Sequence, residues 1–175
     1  MLKPQVWLIA CAALLCSAPA VMAQTSVTLE AGHSSESDTT YRASMQFDFG
    51  RSLWQNQSGS LQLGGYWDAG FTHWDRANIN SLSLTPIFQL NFSATGRRFT
   101  PFLEGGIGVA LFSETRFPSN TDIASSFQFE DVLGAGVRLP SGSELGLRWY
   151  HYSNAGIKQP NMGVEKTAVY FRLPF

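Results

Sequence analysis

Period-two alternation limits this chain more than any other feature: apolar side chains recur at every second residue, with ionisable ones between them. Between turn signals the pattern marks eight strands, at residues 26–33, 40–49, 61–73, 82–92, 99–112, 126–139, 144–153 and 165–175. In three of them the apolar phase reads Tyr41, Ala43, Met45, Phe47, Phe49; Leu61, Leu63, Trp67, Ala69, Phe71; and Leu82, Leu84, Phe88, Leu90, Phe92. The opposite phase carries Arg42, Asp48, Asp68, Glu104, Glu130, Arg138, Arg148 and Arg172. Ionisable groups thus recur inside nearly every strand, on one face.

Alternation alone leaves open which face meets water. A soluble, lipocalin-like barrel would turn the apolar phase inward; a membrane barrel would turn it outward. The chain ends in A-V-Y-F-R-L-P-F, where Val169, Phe171, Leu173 and the terminal Phe175 alternate, which resembles the last strand of bacterial outer-membrane barrels. At the other end Lys3 precedes an apolar run from Val6 to Cys16 and then the small residues of S-A-P-A-V-M-A, a secretory signal peptide cleaved after Ala23. A lipoprotein box at Cys11 fits less well, because the apolar run continues past it. Past residue 23 no apolar stretch reaches the ~18 residues of a membrane-crossing helix. Signal, alternation and an even strand number favour an eight-stranded antiparallel transmembrane β-barrel in the Gram-negative outer membrane.

Removing residues 1–23 leaves 152 residues as one barrel domain, 24–175. Cys11 and Cys16 depart with the signal, so disulfides and thiol chemistry are excluded. Losing Lys3 leaves eleven basic against thirteen acidic residues, a formal charge of −2, with nothing to suggest nucleic acid.

At eight strands the lumen is only just filled by side chains, so the inward charges read as a paired, hydrogen-bonded plug; a pore is the functional alternative. Gly106, Gly108, Gly134 and Gly136 fall in the inward phase and leave room for larger neighbours. Asp131 does not fit, since it shares the outward phase of Phe127, Phe129, Leu133 and Ala135. A bulge, an interfacial position or a subunit contact would each accommodate it.

Orientation follows from turn length. The tight Pro140-Ser-Gly-Ser143 link is periplasmic, so strand 144–153 runs upward and loop 154–164 is extracellular. In L-G-L-R-W-Y-H-Y-S-N-A-G, His151 and Ser153 share the phase of Leu145, Leu147 and Trp149. Counting back from Phe175 in twos reaches Glu165 in the lipid-facing phase of the last strand. An antiparallel hairpin brings Glu165 beside His151 and Ser153.

A nucleophile, a base and an orienting acid are thereby collected from two strands. A serine hydroxyl is weak until a base takes its proton, and a carboxylate on the second imidazole nitrogen fixes the tautomer. The developing oxyanion needs hydrogen-bond donors, for which Asn154, Gly156 and Asn161 are candidates. The plainer alternative is three interfacial polar residues, since polar groups at a strand end cost only about 0–1 kcal/mol. No Gly-x-Ser-x-Gly elbow is present.

H-Y-S-N-A-G-I-K-Q-P-N-M-G-V-E, from His151 to Glu165, resembles the signature of the outer-membrane lipid A 3-O-deacylases, an acyloxyacyl hydrolase type. The similarity extends through Y-W-D-A-G-F (from Tyr66), P-F-L-E-G-G-I-G-V-A (from Pro101) and F-E-D (from Phe129). The resemblance implies an eight-stranded barrel with a Ser-His-Glu triad on its outside, formed by Ser153, His151 and Glu165. It implies removal of the ester-linked 3-hydroxyacyl chain at position 3 of lipid A, a role for Asn154 in activity, and Asn161 as a further motif position. It also makes a homodimer plausible.

Lipid A or lipopolysaccharide in the outer membrane is the expected partner, and no cofactor or metal is expected: His33, His73 and His151 are too scattered to share one. Trp149, Tyr150 and Tyr152 read as interfacial or lumen packing, and Lys158 as a solvated loop lysine. The alternatives are an outer-membrane phospholipase and a non-catalytic structural or adhesion barrel.

Overall fold

The computed structural model describes residues 24–94, 96 and 98–175; residues 1–23, where the signal peptide is expected and where Cys11 and Cys16 stand, lie outside the described residues. Its strands are β1 (Thr25–Ser34), β2 (Thr39–Asp48), β3 (Trp54–Gln55), β4 (Leu61–Trp74), β5 (Ile79–Phe92), β6 (Thr100–Phe112), β7 (Phe127–Arg138), β8 (Glu144–Ser153) and β9 (Val164–Pro174). All pairings are antiparallel, and β2 pairs with β4 to close the sheet into an eight-stranded barrel. Closure leaves no barrel strand with a bare edge, the condition for placing backbone in hydrocarbon.

The expected strands agree with the observed ones to within three residues at either end. The largest difference is β5, which begins at Ile79 rather than Leu82 because Ile79, Asn80 and Ser81 pair with Trp74, His73 and Thr72. The two-residue β3 stands where a turn was expected. Strand β2 ends opposite Tyr66, so the periplasmic end of β4 would keep a free edge; Trp54 and Gln55 pair with Leu63 and Gln62 to cover it.

The face assignment is the membrane-barrel one. Leu29, Leu82, Leu103, Ile107, Leu133, Leu147, Val169 and Phe171 point outward and are exposed. Glu30, Arg42, Asp68, Glu104, Glu130 and Arg148 are buried in the lumen.

Arg148 organises the lumen. Its guanidinium donates to Glu104 and Glu30 at 2.7 Å each and to the Tyr66 hydroxyl at 2.7 Å, and it lies 4.2 Å over the Tyr170 ring. Arg42 reaches Asp68, Ser83 and Glu130, and Thr85 and Tyr152 donate to Glu130 as well. Towards the outer end the filling becomes aromatic. Trp74 packs on Phe112, Phe117 and Tyr152 at 5.5–5.8 Å between ring centroids, with Phe117 and Ile123 supplied by the loop over the mouth. The inward glycines make this density attainable: a Cβ on Gly134 would lie 2.9 Å from the Glu104 side chain, and one on Gly136 2.6 Å from Phe102. From its middle to its outer mouth the lumen is a packed, paired plug, and a cavity of about 280 Å³ opens at the periplasmic end beside Gln89, Arg138, Glu144 and Arg172.

Removing one member of a buried charge network strands the rest. Arg148→Ala leaves Glu104 and Glu30 without their main partner and is expected to destabilise the barrel by about 3–5 kcal/mol. A lower urea midpoint for barrel reconstituted in vesicles checks this; an unchanged midpoint would show that the network is dispensable.

Candidate active site

On β8 the inward residues Arg148, Tyr150 and Tyr152 alternate with outward Trp149, His151 and Ser153. The β8–β9 ladder sets His151 directly opposite Glu165, and the β7–β8 ladder sets Asp131 opposite His151 on the other side. The imidazole therefore stands in a row of three strands with a carboxylate on each flank. The ladder passes through Asp131 without a bulge: Glu130 pairs with Tyr152 and Val132 with Tyr150. Of the accommodations open to Asp131 in the sequence, a bulge is removed, and its neighbour turns out to be the histidine.

His151 Nδ1 lies 3.9 Å from Glu165 Oε1, and the imidazole is one-third exposed while the carboxylate is more than half exposed. No hydrogen bond reaches Nδ1, although that atom is buried. The indole of Trp149 stacks against the imidazole, 6.0 Å between centroids and 15° between planes. Ser153 follows on the same face, opposite Phe129 and half-buried. The structure thus gathers His151, Ser153 and Glu165 at the outer end of the lipid-facing surface.

The three loop candidates divide. Asn154 is fully buried: its amide donates to the carbonyls of Ile123 and Lys158 at 3.0 Å each, and its Oδ1 accepts from Lys158 N–H. Its backbone N–H donates to Asn161 Oδ1 at 3.0 Å, which fixes the Asn161 side chain by its oxygen. Gly156 occupies an exposed turn with φ at 78°. Asn154 is therefore a loop organiser, whereas Asn161 keeps its NH2 group unused by any hydrogen bond among the described residues.

Segments remote in sequence, with no local pattern to announce them, brace the site. Ser35 N–H donates to the Glu165 carbonyl at 2.9 Å, and Glu165 N–H returns to Ser35 Oγ at 3.1 Å. Glu36 accepts from Ser35 and from Ser119 of the β6–β7 loop, and Asp122 N–H donates to Met162 Sδ. Together these loops enclose a cavity of about 260 Å³ bordered by Ser35, Glu36, Thr121, His151, Met162 and Glu165. Among the described residues, no three His, Cys, Asp or Glu side chains come together as a metal site.

A transmembrane β-barrel with a serine, a histidine and a glutamate on one lipid-facing patch is the framework of a membrane-embedded ester hydrolase. The model of the lipid A 3-O-deacylase (PagL) family matches residues 39–174, and the chain belongs to that family. It is 42% identical over 152 residues to the lipid A deacylase PagL of Pseudomonas aeruginosa, covering 85% of each chain. To the lipid A deacylase PagL of Bordetella bronchiseptica it is 37% identical over 119 residues, covering 61% of this chain and 64% of the relative. The crystal structure of the outer membrane enzyme PagL superposes with a TM-score of 0.79 at 42% identity, over 86% of this chain and 99% of that one. Neisserial surface protein A, at 15% identity and a TM-score of 0.50 over 87% of this chain and 95% of its own, shares the fold alone.

Asn154→Ala removes the group that ties three carbonyl and amide partners together. Each orphaned buried partner costs about 1–3 kcal/mol, so loop 154–163 should become markedly faster to cleave in limited proteolysis while the barrel stays folded. Unaltered cleavage would mean that the loop is held by other contacts.

Proposed function

We propose that this protein resides in the outer membrane and hydrolyses the ester-linked 3-hydroxyacyl chain at position 3 of lipid A, with Ser153 as nucleophile, His151 as general base and Glu165 as orienting acid. The observation that carries this reading is the lipid-facing row itself: His151 is cross-strand neighbour to Glu165, and Ser153 lies two residues on along the same face. A histidine, a serine and a glutamate share one outward patch among exposed apolar side chains such as Leu133, Leu147 and Val169, and the family relatives bear the name lipid A deacylase.

In this mechanism Ser153 Oγ attacks the ester carbonyl as its proton passes to His151. The tetrahedral oxyanion is held by N–H donors, with the free amide of Asn161 as the side-chain donor and the Gly156 backbone N–H as a second. Collapse breaks the bond to the sugar oxygen, which takes the proton from the imidazolium and leaves an acyl-serine. Water then attacks the acyl-serine, giving its proton to His151, and the fatty acid departs as Ser153 Oγ recovers a proton. Glu165 faces Nδ1 from the neighbouring strand, biases the imidazole orientation without fixing it, and stabilises its charged form. Asp131 stands on the other flank of His151 in the same outward row.

The position suits a substrate that is itself a membrane lipid. Its acyl chains stay in the bilayer while the ester slides to Ser153 from the side, and water enters from the interface just above. The cavity beside His151 is bordered by Ser35, Glu36 and Thr121 of the outer loops.

Mass spectrometry of lipid A from cells making this protein should show loss of one 3-hydroxyacyl group. Cells making Ser153→Ala at equal folded level should retain it, with the rate lowered by at least ~10³-fold. Unchanged lipid A in both would sink the proposal. Asn161→Ala is expected to lower kcat by about 10²–10³-fold if its amide serves the oxyanion; a wild-type kcat would move that role to backbone groups.

A further inference from the structure

We propose that Gly163, together with Trp149, is a positioning residue that clamps the His151 imidazole; this rests on His151 being the general base. Glu165 does not lock the ring in this structure. It is 3.9 Å from Nδ1, more than half exposed, and Nδ1 has no hydrogen bond. A ring free to swing about its Cβ–Cγ bond would carry Nε2 away from the serine, so something else has to hold it.

Two contacts do so from different directions. The Trp149 indole lies nearly parallel to the imidazole, one step along the outward face of β8. On the other side runs the strap from Asn161 to Glu165. The register that pairs Tyr152 with Val164 brings Gly163 to the level of Ser153, on the outward side. A Cβ built on Gly163 would stand 3.1 Å from His151 Cε1, 3.8 Å from Nε2 and 3.4 Å from the Tyr152 carbonyl. Carbon atoms pack at about 3.5–4.0 Å, so the ring stands over the space a side chain would fill, and an added Cβ would press on it by a few tenths of an ångström.

The strap cannot easily retreat. Asn161 accepts from Asn154 N–H, Met162 accepts from Asp122 N–H, Val164 is buried in the lumen and Glu165 is doubly bonded to Ser35. Gly163 is the residue of this run that makes no anchoring hydrogen bond, and its φ of 67° is one that L side chains rarely adopt. The anchors fix the strap, and the strap fixes the ring.

Positioning errors of about 1 Å cost on the order of 10²-fold in rate. In purified, detergent-solubilised enzyme acting on lipid A in mixed micelles, Gly163→Ala, which shifts the ring by a few tenths of that, should therefore lower kcat ~3- to 10-fold with KM within about twofold of wild type. Gly96→Ala is the control for backbone strain: Gly96 has φ at 82° and nothing within 4 Å of an added Cβ, so kcat should be unaffected. Trp149→Ala should also depress kcat, and Trp149→Phe, which restores a flat ring, should recover most of it. Those two keep the clamp testable should Gly163→Ala fail to fold. A wild-type kcat in Gly163→Ala, or equal activity in Trp149→Ala and Trp149→Phe, overturns the clamp while leaving the deacylase reading intact. Inactive wild-type enzyme overturns the reading on which it rests.

Discussion

Everything in this molecule depends on closing the sheet. In hydrocarbon an unpaired backbone N–H or C=O costs several kcal/mol, so the pairing of β2 with β4 is what makes the other strands admissible in a bilayer. Closure then forces the alternation. With one side of every strand in lipid and the other in a narrow lumen, ionisable residues sit at inward positions and are paired there, and Arg148 and Arg42 become the centres of that network.

The same closure explains how a surface site can be rigid. An outward residue on a lipid-facing strand has few neighbours of its own and inherits its position from the inward residues beside it. On β8, Arg148 is held by Glu104, Glu30 and Tyr66, Tyr150 donates to Glu30, and Tyr152 donates to Glu130 and packs in the aromatic cluster. On β9, Val164 and Ala168 pack in the buried cluster and Lys166 lies 3.8 Å over the Tyr150 ring. Trp149, His151, Ser153 and Glu165 alternate with these locked positions, so the lumen network acts as the supporting layer for the site.

Strand number, faces and the polar trio were legible in the sequence because period two carries over along a strand without drift, and counting back from Phe175 needs no structure. What stayed hidden depends on spatial contacts that no local pattern encodes. The β3 pair exists because β4 outlasts β2, which is a statement about relative strand length. Asp131 could be assigned an outward face, but only the ladder register brings it opposite His151. The bonds from Ser35 to Glu165 and from Asn154 to Ile123 span sequence separations of 130 and 31 residues, and loops give no periodic signal for such pairings. Gly163 lay within the recognised motif, yet what its missing side chain accomplishes is visible only when the His151 ring lies beside it.

The position of the trio also follows from energetics. At the bilayer midplane an exposed Arg or Lys costs about 2–4 kcal/mol and an Asp or Glu less, each falling to roughly 0–1 near the interface. Glu165, more than half exposed, is the residue most subject to that gradient. Moving the row two residues down β8 and β9 would keep the same outward face and the same pairing, placing the set at Trp149 and Thr167. It would also carry the carboxylate into hydrocarbon and remove it from Ser35 and the strap. The outer end of the strands is where a carboxylate remains tolerable, where the loops can grip His151, and where the proposed reaction would find both a lipid ester and water.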